Sequence, residues 1–122
     1  MSGRLTTHVL DLSRGIPACG MALQLWRFDG EAGHLLSEAV TNGDGRLDAP
    51  LLEGPEMEPG SYELLFMAGD YFRTTPSEAQ AGASDTFFLE QIPIRFNIGR
   101  TEEHYHVPLL VAPGGYSTYR GS

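Results

Sequence analysis

The sequence contains one cysteine and no lysine, and both scarcities exclude classes of protein. A lone Cys19 cannot form an intramolecular disulfide or a four-thiolate zinc site, so a disulfide scaffold is ruled out and a reducing compartment is expected. The eight basic residues are all arginines and stand against sixteen Asp and Glu, which gives a formal net charge of -8. Nucleic acid and anionic membrane surfaces bind clustered positive charge, so we expect neither as a partner.

Long apolar segments are also missing. No stretch of about 18 apolar residues occurs and no apolar segment follows Met1, so the sequence predicts neither a membrane span nor a signal peptide. A cytoplasmic location is the expectation. The 122 residues have a mass of 13.3 kDa and fit a single domain over 1–122. A chain of this length buries about two-thirds of its unfolded surface, which is enough for a core without disulfide or metal staples.

Glycine and proline divide the chain into short segments. The 15 glycines and 8 prolines separate stretches rich in β-branched and aromatic residues. These stretches predict strands at 5–10, 21–28, 35–41, 61–68, 87–98, 105–111 and 116–119. Pro93 places the strand at 87–98 at a sheet edge or a bulge, and residues 77–82 fit one short helix. We therefore predict a mainly all-β fold, a two-sheet β-sandwich of seven to eight short strands with one short helix.

Two local features have structural interpretations. Residues 42–45 read Asn-Gly-Asp-Gly and predict a tight turn. They lack the later ligands of a calcium loop. Cys19 has no cationic or histidine neighbour in the sequence, so it is predicted to be a small buried or half-buried side chain rather than a reactive thiol.

The signatures of the common catalytic folds are absent from the sequence: it has no nucleophile elbow, P-loop, zincin helix or paired cysteines. Chemistry must therefore come from residues that the fold brings together. His104 and His106 are two residues apart, so on a strand both point to one face. With His8 from another strand they could bind zinc, although such histidines are more often ordinary polar residues. Arg46 follows the glycine-rich turn, and its planar guanidinium suits a carboxylate, phosphate or urate-like ligand; a surface ion pair is the alternative.

The last residues of the chain are polar and aromatic. Aromatic and hydroxyl residues alternate from Tyr116 to Tyr119, and hydrogen-bonding residues continue to Ser122. A frayed tail is the usual state of a terminus. The alternation instead predicts an ordered strand at this end.

Five segments carry a resemblance to a known family. They are residues 5–11 (LTTHVLD), 41–46 (TNGDGR), 88–96 (FLEQIPIRF), 104–110 (HYHVPLL) and 116–122 (YSTYRGS). In composition and order they resemble the 5-hydroxyisourate hydrolases, including that family's terminal Tyr-Arg-Gly-Ser. The resemblance extends from Leu5 to Ser122 and so covers essentially the whole chain.

The resemblance implies a transthyretin-like fold with two four-stranded sheets and one helix, assembled as a homotetramer, a dimer of dimers around a central channel. It implies hydrolysis of 5-hydroxyisourate to 2-oxo-4-hydroxy-4-carboxy-5-ureidoimidazoline in urate (purine) degradation, without a metal or organic cofactor. The catalytic residues that it implies are His8, Arg46, His106 and Ser122. The substrate-binding residues that it implies are His8, Arg46 and Tyr119. His104 receives no catalytic role.

The side chains account for this chemistry. Ring opening requires water to attack a ring carbonyl, and a histidine with a pKa near 6.5 can take a proton from that water and pass one to the departing nitrogen. Either His106 or His8 fits the role of base. Arg46 would bind substrate oxygens and stabilise the charge of the tetrahedral intermediate, and Ser122 would offer its hydroxyl or terminal carboxylate as a hydrogen-bonding group.

Two other functions remain open at this point. The first is a small-ligand carrier of the transthyretin type, which would bind without turnover; the hormone carriers of this fold lack the terminal Tyr-Arg-Gly-Ser. The second is a zinc hydrolase in which His8, His104 and His106 hold the metal.

Overall fold

The polypeptide forms two β-sheets and one short α-helix. The computed structural model describes residues 3–74 and 86–121. In chain order its elements are β1 (Arg4–Asp11), β2 (Ile16–Pro17), β3 (Ala22–Asp29), β4 (Ala32–Val40), β5 (Leu52–Glu53), a 3₁₀ turn (Gly54–Glu56), β6 (Gly60–Phe66), α1 (Ala68–Thr74), β7 (Ile92–Ile98), β8 (His104–Ala112) and β9 (Gly115–Thr118). Seven of the described strands have four or more residues, and β2 and β5 have two each. The predicted two-sheet, mainly β fold is confirmed.

The first sheet is built around the parallel pair β1 and β8. Its strand order is β2-β1-β8-β9, and β5 also pairs with β1. The register of the central pair runs from Arg4 opposite His104 to Asp11 opposite Val111. The second sheet has the order β4-β3-β6-β7 and is antiparallel throughout. The described part of the first sheet has five strands rather than the four that the resemblance implies, because the short β5 pairs with the start of β1.

Alternation in β1 and β8 divides their side chains between the core and an outer face. Leu5, Val9 and Leu109 are fully buried in one hydrophobic core with residues of the second sheet. Complete burial of such a side chain contributes about 1.5–3 kcal/mol. Thr6 and His106 are only partly buried, because they occupy the alternate positions of the same strands. The core thus fixes the positions of β1 and β8, and the outer face of these two strands carries the polar residues.

Pro93 lies in an edge strand, as the absence of its backbone N–H predicts. Strand β7 is at the edge of the second sheet, and Pro93 pairs with Leu65 of β6 on its inner side. The predicted strand at 87–98 is wrong in its first part, since β7 begins only at Ile92 and Phe88 is 86% exposed. An exposed segment that pairs with no neighbouring strand gains no inter-strand hydrogen bonds from an extended conformation.

Helix α1 begins where the sequence predicts the end of a strand. The strand predicted over 61–68 ends at Phe66, and α1 begins at Ala68. Buried Tyr71 and Phe72 anchor this helix, and Arg73 forms ion pairs with Asp70 of the same helix and Glu90. The helix predicted at 77–82 lies outside the described residues. In the described part of the chain, no helix has the length and apolar character needed to cross a membrane.

Cys19 is exposed, so its predicted burial is wrong. Its neighbour Ala18 is the fully buried residue of this segment, and the Ala18 N–H donates to the Val9 carbonyl. The segment then turns outward at Gly20, whose φ is 86°. A backbone anchored through Ala18 leaves the thiol on the surface.

Candidate active site

The parallel register of β1 and β8 places three polar side chains in contact on the outer face. Thr6 Oγ1 lies 2.7 Å from His104 Nε2 and 2.8 Å from His106 Nδ1. The centroids of the two imidazole rings are 6.0 Å apart. The prediction that both histidines share one face is confirmed, and the hydroxyl between them belongs to a residue almost 100 positions earlier in the chain.

The predicted turn at 42–45 is confirmed, and it positions Arg46. The Asn42 side-chain oxygen accepts hydrogen bonds from the N–H groups of Asp44 (2.9 Å) and Arg46 (3.2 Å). Gly45 has a φ of +74°, and a Cβ there would lie 2.3 Å from the Val9 carbonyl oxygen, so only glycine fits. The tight packing of the turn on β1 brings Arg46 into a β-bridge with His8.

Among the residues that the structure describes, Arg46 has no carboxylate partner. Arg14 pairs with Asp11 and Arg120 pairs with Glu103, whereas Arg4, which lines the same cleft as Arg46, also has no ion pair among the described residues. No ion pair joins Arg46 to any Asp or Glu of residues 3–74 and 86–121. Within this part of the protein, the alternative of a surface ion pair is therefore wrong. The guanidinium is available to an anionic or carbonyl-rich ligand.

The end of the chain packs on His106. Strand β9 pairs with β8, and beyond it the Gly121 N–H donates to the His106 carbonyl at 2.8 Å. A Cβ at position 121 would lie 2.6 Å from His106 Cδ2. Arg120 donates to the His104 carbonyl and stacks over the Tyr105 ring at 4.2 Å. The predicted order of this segment is confirmed as far as Gly121; Ser122 lies outside the described residues.

A cleft of about 300 Å³ opens beside these groups. Its polar lining consists of Arg4, Thr6, Arg46, Asp48, His104 and His106, among others. His8 is not part of this lining and adjoins it through its bridge to Arg46. Tyr119 lines a different cavity, of about 390 Å³, which contains Phe96 and Tyr105. Of the predicted site residues, the fold thus brings His8, Arg46 and His106 together, and it places Tyr119 elsewhere.

All three histidines of the site resist protonation. Burial lowers the pKa of His106, and the positive charge of Arg46 lowers it further. Burial and Arg46 also lower the pKa of His8, although a hydrogen bond to the Asp44 backbone opposes the shift. The pKa of His104 is lowered by burial and then by Arg4 and Arg120. At neutral pH the site therefore offers imidazoles in the uncharged form, which is the form that a general base requires, beside a permanent cation.

The three-imidazole zinc site is not assembled by the described residues. Among residues 3–74 and 86–121, no three His, Cys, Asp or Glu side chains are arranged to hold a metal ion. His104 and His106 direct one ring nitrogen each to Thr6 instead. His8 lies next to Arg46, whose charge opposes a cation.

Sequence reasoning missed Thr6, Arg4 and Asp48 as parts of the cleft. Thr6 is two residues from His8, so on a strand both lie on one face, but nothing in the local sequence shows that β8 lies beside Thr6. A polar residue two positions from a candidate histidine on the same strand is the only signal that could have selected it.

Known proteins resemble this chain over its whole length. The model of the HIUase/Transthyretin family matches residues 5–121. The 5-hydroxyisourate hydrolase of Halalkalibacterium halodurans is 57% identical over 123 residues, which cover 100% of each chain. The solved 5-hydroxyisourate hydrolase of Klebsiella pneumoniae has a TM-score of 0.74 and 36% identity over 98% of this chain and 94% of that one.

A longer protein contains the same fold. A solved (S)-allantoin synthase has a TM-score of 0.86 and 47% identity over 99% of this chain, which spans only 44% of that chain's length. The family model, the full-length relative and the solved structures agree on one assignment. The chain belongs to the HIUase/Transthyretin family and has its transthyretin-like fold.

Proposed function

We propose that this chain hydrolyses 5-hydroxyisourate to 2-oxo-4-hydroxy-4-carboxy-5-ureidoimidazoline, a step of urate degradation. The relatives that match over their full length are 5-hydroxyisourate hydrolases. The observation in the structure that carries the proposal is that Arg46, which has no carboxylate partner among the described residues, lies next to neutral imidazoles. That combination supplies a base for water and a cation for an oxyanion in one cleft.

His106 is the proposed base. It lines the cleft, and Thr6 engages its Nδ1, which leaves Nε2 as the nitrogen available to water. The water oxygen bonds to a ring carbonyl carbon as its proton passes to Nε2. The carbon–nitrogen bond then breaks, and the departing ring nitrogen takes that proton. His8, which forms a β-bridge with Arg46, orients the water or the substrate.

Arg46 is the proposed electrophilic residue. Its guanidinium binds the oxygens of the substrate and stabilises the negative charge that develops when water adds to the carbonyl. Burial lowers the pKa values of His8 and His106 most, and the permanent charge of Arg46 lowers them further, so both imidazoles are neutral before the reaction. Ser122 is proposed to supply a further hydrogen-bonding group to the reacting centre, and the scheme uses no metal or organic cofactor.

We further propose a homotetramer, a dimer of dimers, of single-domain chains that act in the cytoplasm. Its support is the exposure of β9 together with Tyr116 and Tyr119, which are 44% and 61% exposed. An uncovered edge strand with aromatic side chains favours pairing with a second copy. Tyr119 faces the second cavity, so its proposed contact with substrate depends on this assembly. Light scattering that finds only monomer would remove both proposals.

The test of function is a turnover assay with sub-stoichiometric protein. Freshly made 5-hydroxyisourate, generated from urate by urate oxidase, is followed by its ultraviolet absorbance with and without the protein. The proposal predicts that each chain converts many substrate molecules. A carrier would bind at most one equivalent per site and leave the spontaneous decay of the remainder unchanged.

A chelator arm separates the zinc alternative. Acceleration that survives exhaustive chelation and metal analysis supports the proposed mechanism. Acceleration that disappears with the metal and returns with added zinc would move the assignment to a zinc hydrolase.

A further inference from the structure

We propose that Thr6 relays a proton between His106 and His104, which makes Thr6 a positioning residue and gives His104 the role of a proton store. This inference rests on the proposed hydrolysis. Its basis is that one hydroxyl contacts a ring nitrogen of each histidine, at 2.8 Å and 2.7 Å. Both distances are those of good hydrogen bonds.

A single hydroxyl proton couples the two rings. Thr6 has one proton to donate, so it can donate to only one imidazole and must accept from the other. When it donates to His104 Nε2, it accepts the Nδ1 proton of His106, and His106 Nε2 then carries a free lone pair. This is the tautomer that a base facing the cleft requires. When the hydroxyl donates to His106 Nδ1 instead, His106 Nε2 carries a proton and is a donor.

The two arrangements correspond to the two stages of hydrolysis. As His106 Nε2 takes a proton from water, its Nδ1 proton passes to the Thr6 oxygen, and the Thr6 hydroxyl proton passes to His104 Nε2. His106 is then neutral with its proton on Nε2, and His104 carries the positive charge. When His106 Nε2 protonates the departing ring nitrogen, the two other protons move back. Every proton is accounted for, and both histidines return to their starting state.

The surroundings of the two rings support such a shared proton. Besides burial, the charges of Arg46, His104 and His8 lower the pKa of His106. The cations that lower the pKa of His104 are Arg4 and Arg120, and Arg120 is itself paired with Glu103. Moving the proton to His104 removes it from the ring on which Arg46 acts, and the repulsion from Arg4 and Arg120 favours its return to His106.

The next residue in β1 shows what a purely structural threonine does. The Thr7 hydroxyl is buried and donates to the Val107 carbonyl at 2.7 Å, which is an ordinary bond between a side chain and the neighbouring strand. Thr6 makes no such backbone bond among the described contacts and uses its hydroxyl on the two imidazoles. Thr7→Val is therefore the matched control for Thr6→Val.

The decisive experiment compares Thr6→Val, Thr6→Ser and Thr7→Val in the turnover assay and by ¹⁵N spectroscopy of the imidazoles. We expect Thr6→Val to lower kcat about 10- to 100-fold with KM little changed, the loss expected for one hydrogen bond to a charged group. Thr6→Ser keeps the hydroxyl and is expected to restore kcat. Thr7→Val is expected to lower the Tm and to leave the tautomers of His104 and His106 as they are in the unmodified protein.

His104→Gln tests the proton store directly. Glutamine can hydrogen-bond to Thr6 but cannot hold the extra proton, so kcat is expected to fall while KM does not. A kcat equal to that of the unmodified protein in either Thr6→Val or His104→Gln would overturn the proposed relay. If the unmodified protein itself shows no turnover, the proposed hydrolysis has failed instead, and the two failures are distinguished by that single control.

Discussion

Strand β1 carries two polar clusters of opposite construction. At its end, the fully buried carboxylate of Asp11 accepts hydrogen bonds from Ser13, Arg14 and Tyr71. Nearer its start, the cleft cluster consists of Thr6, His8, Arg46, His104 and His106. There the guanidinium has no carboxylate partner among the described residues, and a single hydroxyl serves two imidazoles.

The pKa shifts express the same contrast. Burial alone would raise the pKa of Asp11, but hydrogen bonds from Ser13, Tyr71 and Arg14 outweigh it and lower that pKa, so the charge is stabilised. In the cleft cluster, burial and neighbouring cations lower the histidine pKa values, so the charge is destabilised. A cluster whose groups satisfy each other stabilises the fold. A cluster whose cation has no carboxylate partner among the described residues is available to bind a ligand or to accept a proton.

The largest expected effect comes from deleting residues 119–122. The deletion removes Ser122 and frees the backbone of His106 from Gly121. We expect activity to fall to the spontaneous rate while the circular dichroism spectrum keeps its β character. Gly121→Ala is the finer version, because its Cβ would meet His106 Cδ2 at 2.6 Å. A fully active truncated protein would remove the tail from the site.

The second largest effect is expected for Arg46→Ala, a substitution in the cleft cluster. The cleft cluster loses its cation, and we expect kcat/KM to fall about 10²–10³-fold, as when one oxyanion-stabilising donor is removed. Stability should change little because the substitution leaves no carboxylate of the described residues unpaired. The measurement pairs the turnover assay with thermal unfolding. Normal turnover with a large loss of Tm would reverse the assignment of the two clusters.

Tyr71→Phe is the converse change, made in the satisfied cluster. It removes the hydroxyl that donates to Asp11 at 2.7 Å and leaves a buried acceptor short of a partner. We expect the free energy of unfolding to fall by about 1–3 kcal/mol in urea titrations, with kcat unchanged. A loss of kcat in correctly folded Tyr71→Phe would break the contrast.

The smallest effect is on pH dependence. Activity needs neutral His106, so it should be retained at pH 6.5 and fall only at lower pH, as His106 becomes protonated below its lowered pKa. Arg46→Gln removes a charge that lowers this pKa, so the acid limb of its residual activity should move to higher pH. The stability that ionised Asp11 contributes is fully present above its ordinary pKa of 3.8. This stability is lost as the pH falls through the lowered pKa that Asp11 has in the folded protein. A rate profile with an acid limb above 6.5 in the unmodified protein would contradict this assignment.

Features fixed by neighbouring residues were predictable from the sequence. Alternation places His104 and His106 on one face, Pro93 belongs at an edge, and Asn42 with Gly45 forms the turn before Arg46. In each case, the physical cause lies within a few positions of the residue concerned.

Features fixed by distant contacts were not predictable. Thr6 enters the site only because β1 and β8 are parallel with Thr6 opposite His106. Helix α1 contains Gly69, Tyr71 and Phe72, which favour other structures locally; burial of the two aromatic side chains and the bond to Asp11 stabilise it. Local propensity carries no information on such contacts.

The proposed role of His106 is tested by the initial rate of 5-hydroxyisourate loss with His106→Ala, measured against the unmodified protein at equal concentrations of folded chain. We expect rapid turnover by the unmodified protein and a loss of about 10²–10⁴-fold in the variant, the usual contribution of a general base. Unfolding temperatures of the two proteins establish that the comparison is between folded chains. An unchanged rate in folded His106→Ala would show that this imidazole of the cleft cluster does not activate water.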